Sequence, residues 1–415
     1  MAKLHPFRGF RPGREDVDQV ASRPYDVLNS EEARQEVAGN PSSFLHVVKP
    51  EVDLPRGTDL HSEEVYARGK QNLDTLIREG FFIQDEKPML YIYGQTMFGK
   101  TQYGIVGCAS VEDYMSGVIK KHELTRPDKE EDRMKHIRVT NFNAEPVFFA
   151  FPDHPELDRI VSGVVRGTPE YDFTTGDGVG HHFWLVDQEE DIHRMVEIFE
   201  KEIPSTYVAD GHHRTAAAAL VGQERRAANN SHRGDEEYNY FLAVHFPASQ
   251  LTIIDYNRVI RDLNGMDPDE FLEELKVGFT IEDKGAGIYK PDRLHNVGMY
   301  LQGRWYSLTA RPGTYNDADP IGCLDVTVLS EQILGPLLNI TDLRKSQRID
   351  FVGGIRGLEE LQKRVDSGEM AVAFALYPVT MKQLMDIADS GMIMPPKTTW
   401  FEPKLRSGLV IHSLE

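Results

Sequence analysis

Residues 205–221 leave this chain little freedom. Ser205-Thr206-Tyr207-Val208-Ala209 is a short β-branched and aromatic run, Asp210-Gly211 is a turn pair, and His212-His213-Arg214-Thr215 leads into four alanines with no residue to spare. The first part reads as a strand and the last as a helix starting near His213, so sheet must pass directly into helix. Such a turn aims the helix's unpaired first N–H groups, and the positive end of its dipole, at whatever lies above it. A phosphate suits that place. Gly211 admits close backbone approach, Arg214 can grip two oxygens with its planar fork, and His212 or His213 can donate to a phosphoryl group, with Thr215 just behind them. Asp210 can orient a histidine or hold a metal ion. Without a ligand the same residues read as a turn glycine, a helix cap and two surface histidines. The alanines favour function, because they let the helix sit tight against a neighbour.

Strand-like apolar runs recur at 44–48, 89–95, 103–111, 146–151, 182–186, 205–209, 240–246, 251–256, 297–302 and 370–376, with helical patterns between several of them. The runs on either side of Gly99 read as a hairpin, whereas 205–209 feeds a helix, so the expected fold is α/β (mixed α+β) with a mixed sheet. The polar stretch 222–237 reads as a loop, and so do His181 and His182 after their glycine-rich turn. The pattern restarts with a helix after Leu263-Asn264-Gly265-Met266-Asp267-Pro268. This suggests a first domain over 1–264 and a C-terminal α/β unit over 265–415 whose tail is able to return to the site.

Length and composition bound the chemistry. With 415 residues, 40% of them hydrophobic, the chain can bury a large core. Cys108 and Cys323 are its only cysteines, which excludes a disulfide scaffold or a cysteine-rich zinc cluster and fits a reducing, cytoplasmic setting. No apolar stretch has the length of a signal peptide or a membrane span. The formal charge of −20 disfavours nucleic acid, whose binding is driven by Lys and Arg. A small anion in a locally basic pocket remains compatible with it.

Four other segments carry candidate chemistry. His122-Glu123 stands just before a stretch, Arg126 to Val139, that reads as a helix with Thr125 as cap and Pro127 in its first turn. Lys129, Asp132, Arg133 and His136 fall on one face of it, and Met134, Ile137 and Leu124 are its expected anchors. One reading is a solvated charged helix; the other is a general base, a metal ligand and a phosphate clamp in one place. Arg23-Pro24-Tyr25-Asp26-Val27-Leu28 sets Asp26 after a rigid turn, with Asn29 or Ser30 capping the helix that follows. Asp350-Phe351-Val352-Gly353-Gly354-Ile355-Arg356-Gly357 is a second glycine turn at a helix start. The tail Pro395-Pro396-Lys397-Thr398-Thr399-Trp400-Phe401, with Lys404 and Arg406 beyond it, either folds over a ligand or is pinned to the core by its aromatics. Walker-type, His-Glu-x-x-His and Gly-x-Ser-x-Gly signatures are absent.

The Gly211-His212-His213-Arg214 element resembles the phosphate-binding signature of the ParB and sulfiredoxin superfamily, a Gly-x-x-Arg that opens a helix. In its Asp-Gly-His-His-Arg form it is similar to the free-serine kinases of that superfamily. Over its whole length, from Pro6-Phe7-Arg8 through Arg23-Pro24-Tyr25-Asp26-Val27-Leu28 and the polar block of the 120s to Pro395-Pro396-Lys397, the chain resembles a bacterial and archaeal family known as domain of unknown function 1015. The resemblance implies a ParB/sulfiredoxin-like core that binds nucleotide phosphates. It also implies a carboxylate base, for which Asp26 is the nearest counterpart although the kinases usually place Glu there; Glu123 is the other candidate.

The leading expectation is a nucleotide-dependent phosphotransferase, a kinase with Mg²⁺ and ATP or ADP, acting on a small hydroxyl metabolite such as free L-serine. Asp26, Glu123, His122 and His213 would be catalytic. Asp210, Gly211, His212, His213, Arg214, Thr215, Lys129, Arg133, Lys397 and Arg406 would bind phosphate or nucleotide, and Asp210 with Glu123 would hold the metal. A homo-oligomer is compatible with this reading. Two alternatives stay open, a nucleotide-gated interaction protein without turnover and a metal-dependent phosphoesterase or nuclease.

Overall fold

The computed structural model describes residues 1–415. It divides into two compact units, Met1–Leu251 together with Pro403–Glu415, and Thr252–Glu402. The first is built on a nine-stranded sheet. Its strands in chain order are β1 (Leu4–His5), β2 (Leu90–Met97), β3 (Lys100–Ser110), β4 (Ile119–Lys120), β5 (Val147–Phe151), β6 (Tyr171–Thr174), β7 (Gly180–Val186), β8 (Thr206–Asp210) and β9 (Tyr240–Pro247). The order across the sheet is β4-β8-β5-β9-β3-β2-β7-β6, with β1 alongside β3. The β8/β4 and β9/β5 pairs are parallel and the other pairs antiparallel, the mixed topology expected. The β2/β3 hairpin closes at Met97 opposite Lys100 through Phe98 and Gly99, both with positive φ (51° and 76°), as a two-residue primed turn requires.

Five helices matter for the site and its support: α1 (Glu63–Arg78), α2 (Pro127–Thr140), α3 (Pro155–Val164), α4 (Glu189–Glu202) and α5 (His212–Ala228). Met134 and Ile137 of α2 and Ala217, Ala218, Ala219 and Val221 of α5 form one core with Val147, Phe149, Val208 and Ala243 of the sheet. Leu157, Ile192, Met195, Ile198 and Phe199 of α3 and α4 form another with Leu90, Ile92, Ile105 and Phe151. In a third, Leu73 and Leu76 of α1 meet Phe44, Leu45, Val47 and Val48. The 44–48 run is thus not a strand but a short buried helix, Leu45–Val48; an apolar run of this length carries no period that separates the two.

The stretch expected as a loop at 222–237 is helical as far as Ala228. A Cβ on Gly222 would lie 2.5 Å from the Tyr238 carbonyl oxygen and 2.7 Å from Val111 Cγ2, so this glycine marks close packing rather than a break. Gly222→Ala is therefore expected to destabilise the fold by about 1–3 kcal/mol despite alanine's better helix propensity. Urea unfolding would show it as a lower midpoint; an unchanged or higher midpoint would mean that the Tyr238 backbone yields.

His245 of β9 is fully buried between Phe149 and Phe199, and neither ring nitrogen has a hydrogen-bond partner. Burial lowers its pKa from 6.5 to about 3, and burial likewise takes His122 and His136 to about 4. These imidazoles stay neutral when folded but take protons when unfolded, so their stabilisation is complete above pH 6.5 and is lost as pH falls toward 4. The urea midpoint is expected to drop steadily over that range, and to drop less in His245→Leu. A midpoint flat down to pH 4.5 would contradict this.

The second unit carries a six-stranded, wholly antiparallel sheet. Its strands are β10 (Tyr256–Ile260), β11 (Phe279–Gly285), β12 (Asn296–Leu301), β13 (Arg304–Ala310), β14 (Ile349–Gly353) and β15 (Val372–Ala375), ordered β11-β13-β12-β15-β10-β14. The helix expected after Asp267 is Pro268–Leu275, capped by the Asp267 side chain. Ile253–Ile254 pairs with Trp400–Phe401, which holds the aromatic part of the tail in this unit.

Candidate phosphate-binding site

Strand β8 ends at Asp210, Gly211 turns with φ +89° and ψ 35°, and α5 begins at His212. An L side chain in that left-handed conformation costs about 1–2 kcal/mol. Gly211 is needed for a second reason. A Cβ there would lie 3.2 Å from Arg214 Nε and Cζ, so the guanidinium folds back over the turn into the space a side chain would take.

Arg214 is buried and surrounded by acceptors. Its Nη1 donates to the Pro146 carbonyl at 2.7 Å, and Nη2 lies 3.6 Å from Asp210 Oδ2 and 3.7 Å from Asp26 Oδ2. Its Nε is buried without a hydrogen-bond partner. Burial works against the charge, but Asp26, Glu145 and Asp210 outweigh it and hold the guanidinium above the usual arginine range. The half-buried Asp210 is also opposed by burial; Lys404, 3.4 Å away, Arg214 and the Gly211 N–H nevertheless keep its pKa below the usual carboxylate value.

Asp26 sits in a 3-10 turn, Tyr25–Val27, with its side chain 40% exposed. Two contacts at Tyr25 place it. The Tyr25 N–H donates to Glu145 Oε1 at 3.1 Å, and the Arg133 guanidinium stacks 3.9 Å from the Tyr25 ring centre. Arg133 is itself held by Asp132, whose carboxylate also accepts from Tyr66 and His61. The polar face expected on 126–139 therefore turns inward at Asp132, Arg133 and His136, while Leu124, expected as an anchor, is exposed. A charged arginine carried inside by Asp132, and stacked on Tyr25, overrides the hydropathy of the helix.

The 120s meet the turn through histidines. The rings of His122 and His212 are both buried and touch edge to face at 4.5 Å. His212 Nε2 is buried without a partner, and burial and the neighbouring His122 keep this imidazole neutral. His213 is half-buried; its Nε2 accepts the Arg126 N–H at 3.1 Å, so its proton is carried by Nδ1. Burial lowers the His213 pKa too. Thr215 is buried and its hydroxyl donates to the Gly211 carbonyl at 3.0 Å, bracing the first helical turn. Lys129 is exposed and Glu123 half-buried.

The structure thus gathers Asp26, His122, Arg133 and Asp210 to Thr215. Lys397 belongs to the second unit, where its ammonium lies 5.7 Å from the Tyr256 ring centre. Arg406 belongs to the first but is taken up by Asp177, Thr175 and His181. His181 and His182 lie in β7 rather than in a loop, because pairing with β2 extends the strand back to Gly180. No group of three or more His, Cys, Asp and Glu side chains is arranged to hold a metal ion, so Asp210 and Glu123 belong to no ready-made metal cage. Two residues that sequence reasoning passed over complete the site, Glu145 and Lys404.

What the arrangement can do is hold an anion and activate a hydroxyl. The helix start and the Arg214 fork supply positive charge that needs no reorganisation, and an exposed carboxylate stands beside them.

The model of a family described as "Protein of unknown function (DUF1015)" matches residues 4–327. No curated protein matches the chain. Among solved structures, a free serine kinase in complex with AMP overlaps it at 12% identity and a TM-score of 0.35, covering 74% of this chain and 92% of that one. SbnI from Staphylococcus aureus with a C-terminal truncation gives 12% and 0.37, covering 74% and 87%. A conserved hypothetical protein from Pyrococcus furiosus gives 13% and 0.34, covering 75% and 97%. Overlaps this partial say nothing about the chemistry of the present chain.

Proposed function

The chain belongs to the DUF1015 family, whose description assigns no reaction, and from its site we propose that it is a nucleotide-dependent phosphotransferase with a small hydroxyl acceptor, free L-serine being the first to test. One observation carries the reading: an exposed carboxylate, Asp26, stands 3.7 Å from the buried guanidinium of Arg214 at the start of a helix. A phosphate site needs the arginine and the helix. An exposed carboxylate there repels the ligand, and taking the acceptor's proton gives it a use beyond pairing with Arg214.

In this reading the phosphoryl group lies over Gly211 against the first N–H groups of α5, with the Arg214 fork on its oxygens. The likeness of Gly211-His212-His213-Arg214 to the Gly-x-x-Arg element of ParB and sulfiredoxin proteins supports that placement. The acceptor hydroxyl gives its proton to an Asp26 oxygen as its own oxygen attacks phosphorus, and the bond from phosphorus to the donor's bridging oxygen breaks, so that the shortened nucleotide leaves with that oxygen and its electron pair. His213, with its Nδ1 proton, is the neutral donor beside the phosphate. A Mg²⁺ ion of the kind held mainly by nucleotide phosphates asks for only one or two carboxylates, and Asp210, at the turn beside Arg214, would be the one to hold it. Such an ion would supply charge neutralisation of the phosphates.

The test is phosphorus NMR of the purified full chain with Mg²⁺, offering ATP, ADP or pyrophosphate with and without L-serine and other hydroxy amino acids. A new phosphomonoester resonance that depends on the acceptor is expected. Orthophosphate without an ester would replace the reading by a phosphohydrolase, and binding without turnover by a nucleotide-gated switch.

A further inference from the structure

The charges around Arg214 do not balance for an incoming phosphate. Asp26, Glu145 and Asp210 face the one guanidinium, and Arg133, which is 3.7 Å from Glu145, is held by Asp132. A phosphate dianion entering over Gly211 would have Arg214 on its side and these carboxylates against it, so a second cation is needed. The C-terminal segment brings one. Lys404 Nζ lies 3.4 Å from Asp210 Oδ2, longer than the ~2.7–2.9 Å of a tight charge-assisted bond. Its stem is flexible and its ammonium is a point charge that can move from one oxygen to another.

The placement of Lys404 is built from its own carbonyl and from the residues that follow it. Its carbonyl accepts from Gln95 Nε2 at 2.9 Å. Two residues on, Arg406 is locked by Asp177, by Thr175 Oγ1 at 3.0 Å and by His181 Nε2 at 3.3 Å. Ser407 then pairs backbone to backbone with Ser22 in both directions, at 2.9 and 3.0 Å, and its hydroxyl donates to Glu145 at 3.3 Å. The main chain is pinned to the segment that carries Asp26 and to the residue that positions it, while the Lys404 side chain spans to Asp210. Arg406, the more obvious cation in the sequence, is spent on this anchoring.

We propose that Lys404 is the second phosphate-binding cation of the site, leaving Asp210 for a phosphate oxygen when ligand arrives. This rests on the phosphate site proposed above and adds a binding residue to it. Asp210 is a resting partner of the ammonium without ligand.

The experiment is calorimetric titration of the full chain with AMP and with pyrophosphate, in wild type, Lys404→Met, Lys404→Gln, Lys404→Arg and Arg214→Lys, each checked by thermal unfolding. Lys404→Met and Lys404→Gln are expected to weaken binding about 10-fold or more, and Lys404→Arg to restore most of it. Two neutral variants are used so that a folding failure in one leaves the other. Wild-type affinity in a folded neutral variant, with binding lost in Arg214→Lys, would overturn the role of Lys404 and leave the phosphate site standing. No binding of either probe by wild type would overturn both.

Discussion

Arg214→Lys is expected to cut phosphoryl transfer by about 10²–10³-fold while the protein stays folded. Lysine keeps the positive charge among Asp26, Glu145 and Asp210 but loses the planar fork, the Nη1 bond to the Pro146 carbonyl and the rigid cover over Gly211. Arg214→Ala removes the charge as well, leaving only Lys404 and Arg133 to offset Asp26, Glu145 and Asp210, and is expected to destabilise the unit by up to about 3–5 kcal/mol. The two substitutions separate the arginine's roles, and steady-state turnover beside urea unfolding reads both. Near wild-type turnover in Arg214→Lys would mean that charge alone suffices and that no two-oxygen grip is made.

Asp26→Asn is expected to lower kcat by about 10²–10⁴-fold with AMP affinity almost unchanged or slightly improved. The substitution keeps the shape of a half-exposed side chain, removes its capacity to take a proton and its repulsion of phosphate, and leaves Glu145 and Asp210 to offset Arg214. A nucleotide-gated switch would behave differently, because it has no use for a base. Turnover measured beside AMP titration decides between them: equal loss of both would make Asp26 a structural partner of Arg214.

Much of this site was legible in the sequence because its parts are local. The passage from strand to helix at Asp210-Gly211 needs only an apolar run, a glycine and good helix formers. The Asn29 cap is equally local: its side chain accepts from Glu31 and Glu32 while Glu32 reaches back to its N–H. What escaped was set by distant partners. Glu145 looks like one more polar residue before a proline until Tyr25, Arg133 and Ser407 converge on it. Lys404 was passed over in favour of Lys397 and Arg406 because nothing in a stretch with three cations says which one will meet Asp210. Helix α5 continues through Gly222 where that glycine packs against the Tyr238 carbonyl and Val111, and the residues beyond are good helix formers. In each case a charge pair or a close approach across the fold outvoted the local pattern.

The central claim, that the turn at Gly211 is a phosphate cradle, is tested most directly by a crystal structure of the full chain with ADP. A phosphate is expected over Gly211, within hydrogen-bond reach of the first N–H groups of α5 and of the Arg214 fork, with the Lys404 ammonium moved from Asp210 toward it. Nucleotide bound elsewhere, with Arg214 still enclosed by Asp26, Glu145 and Asp210, would contradict it.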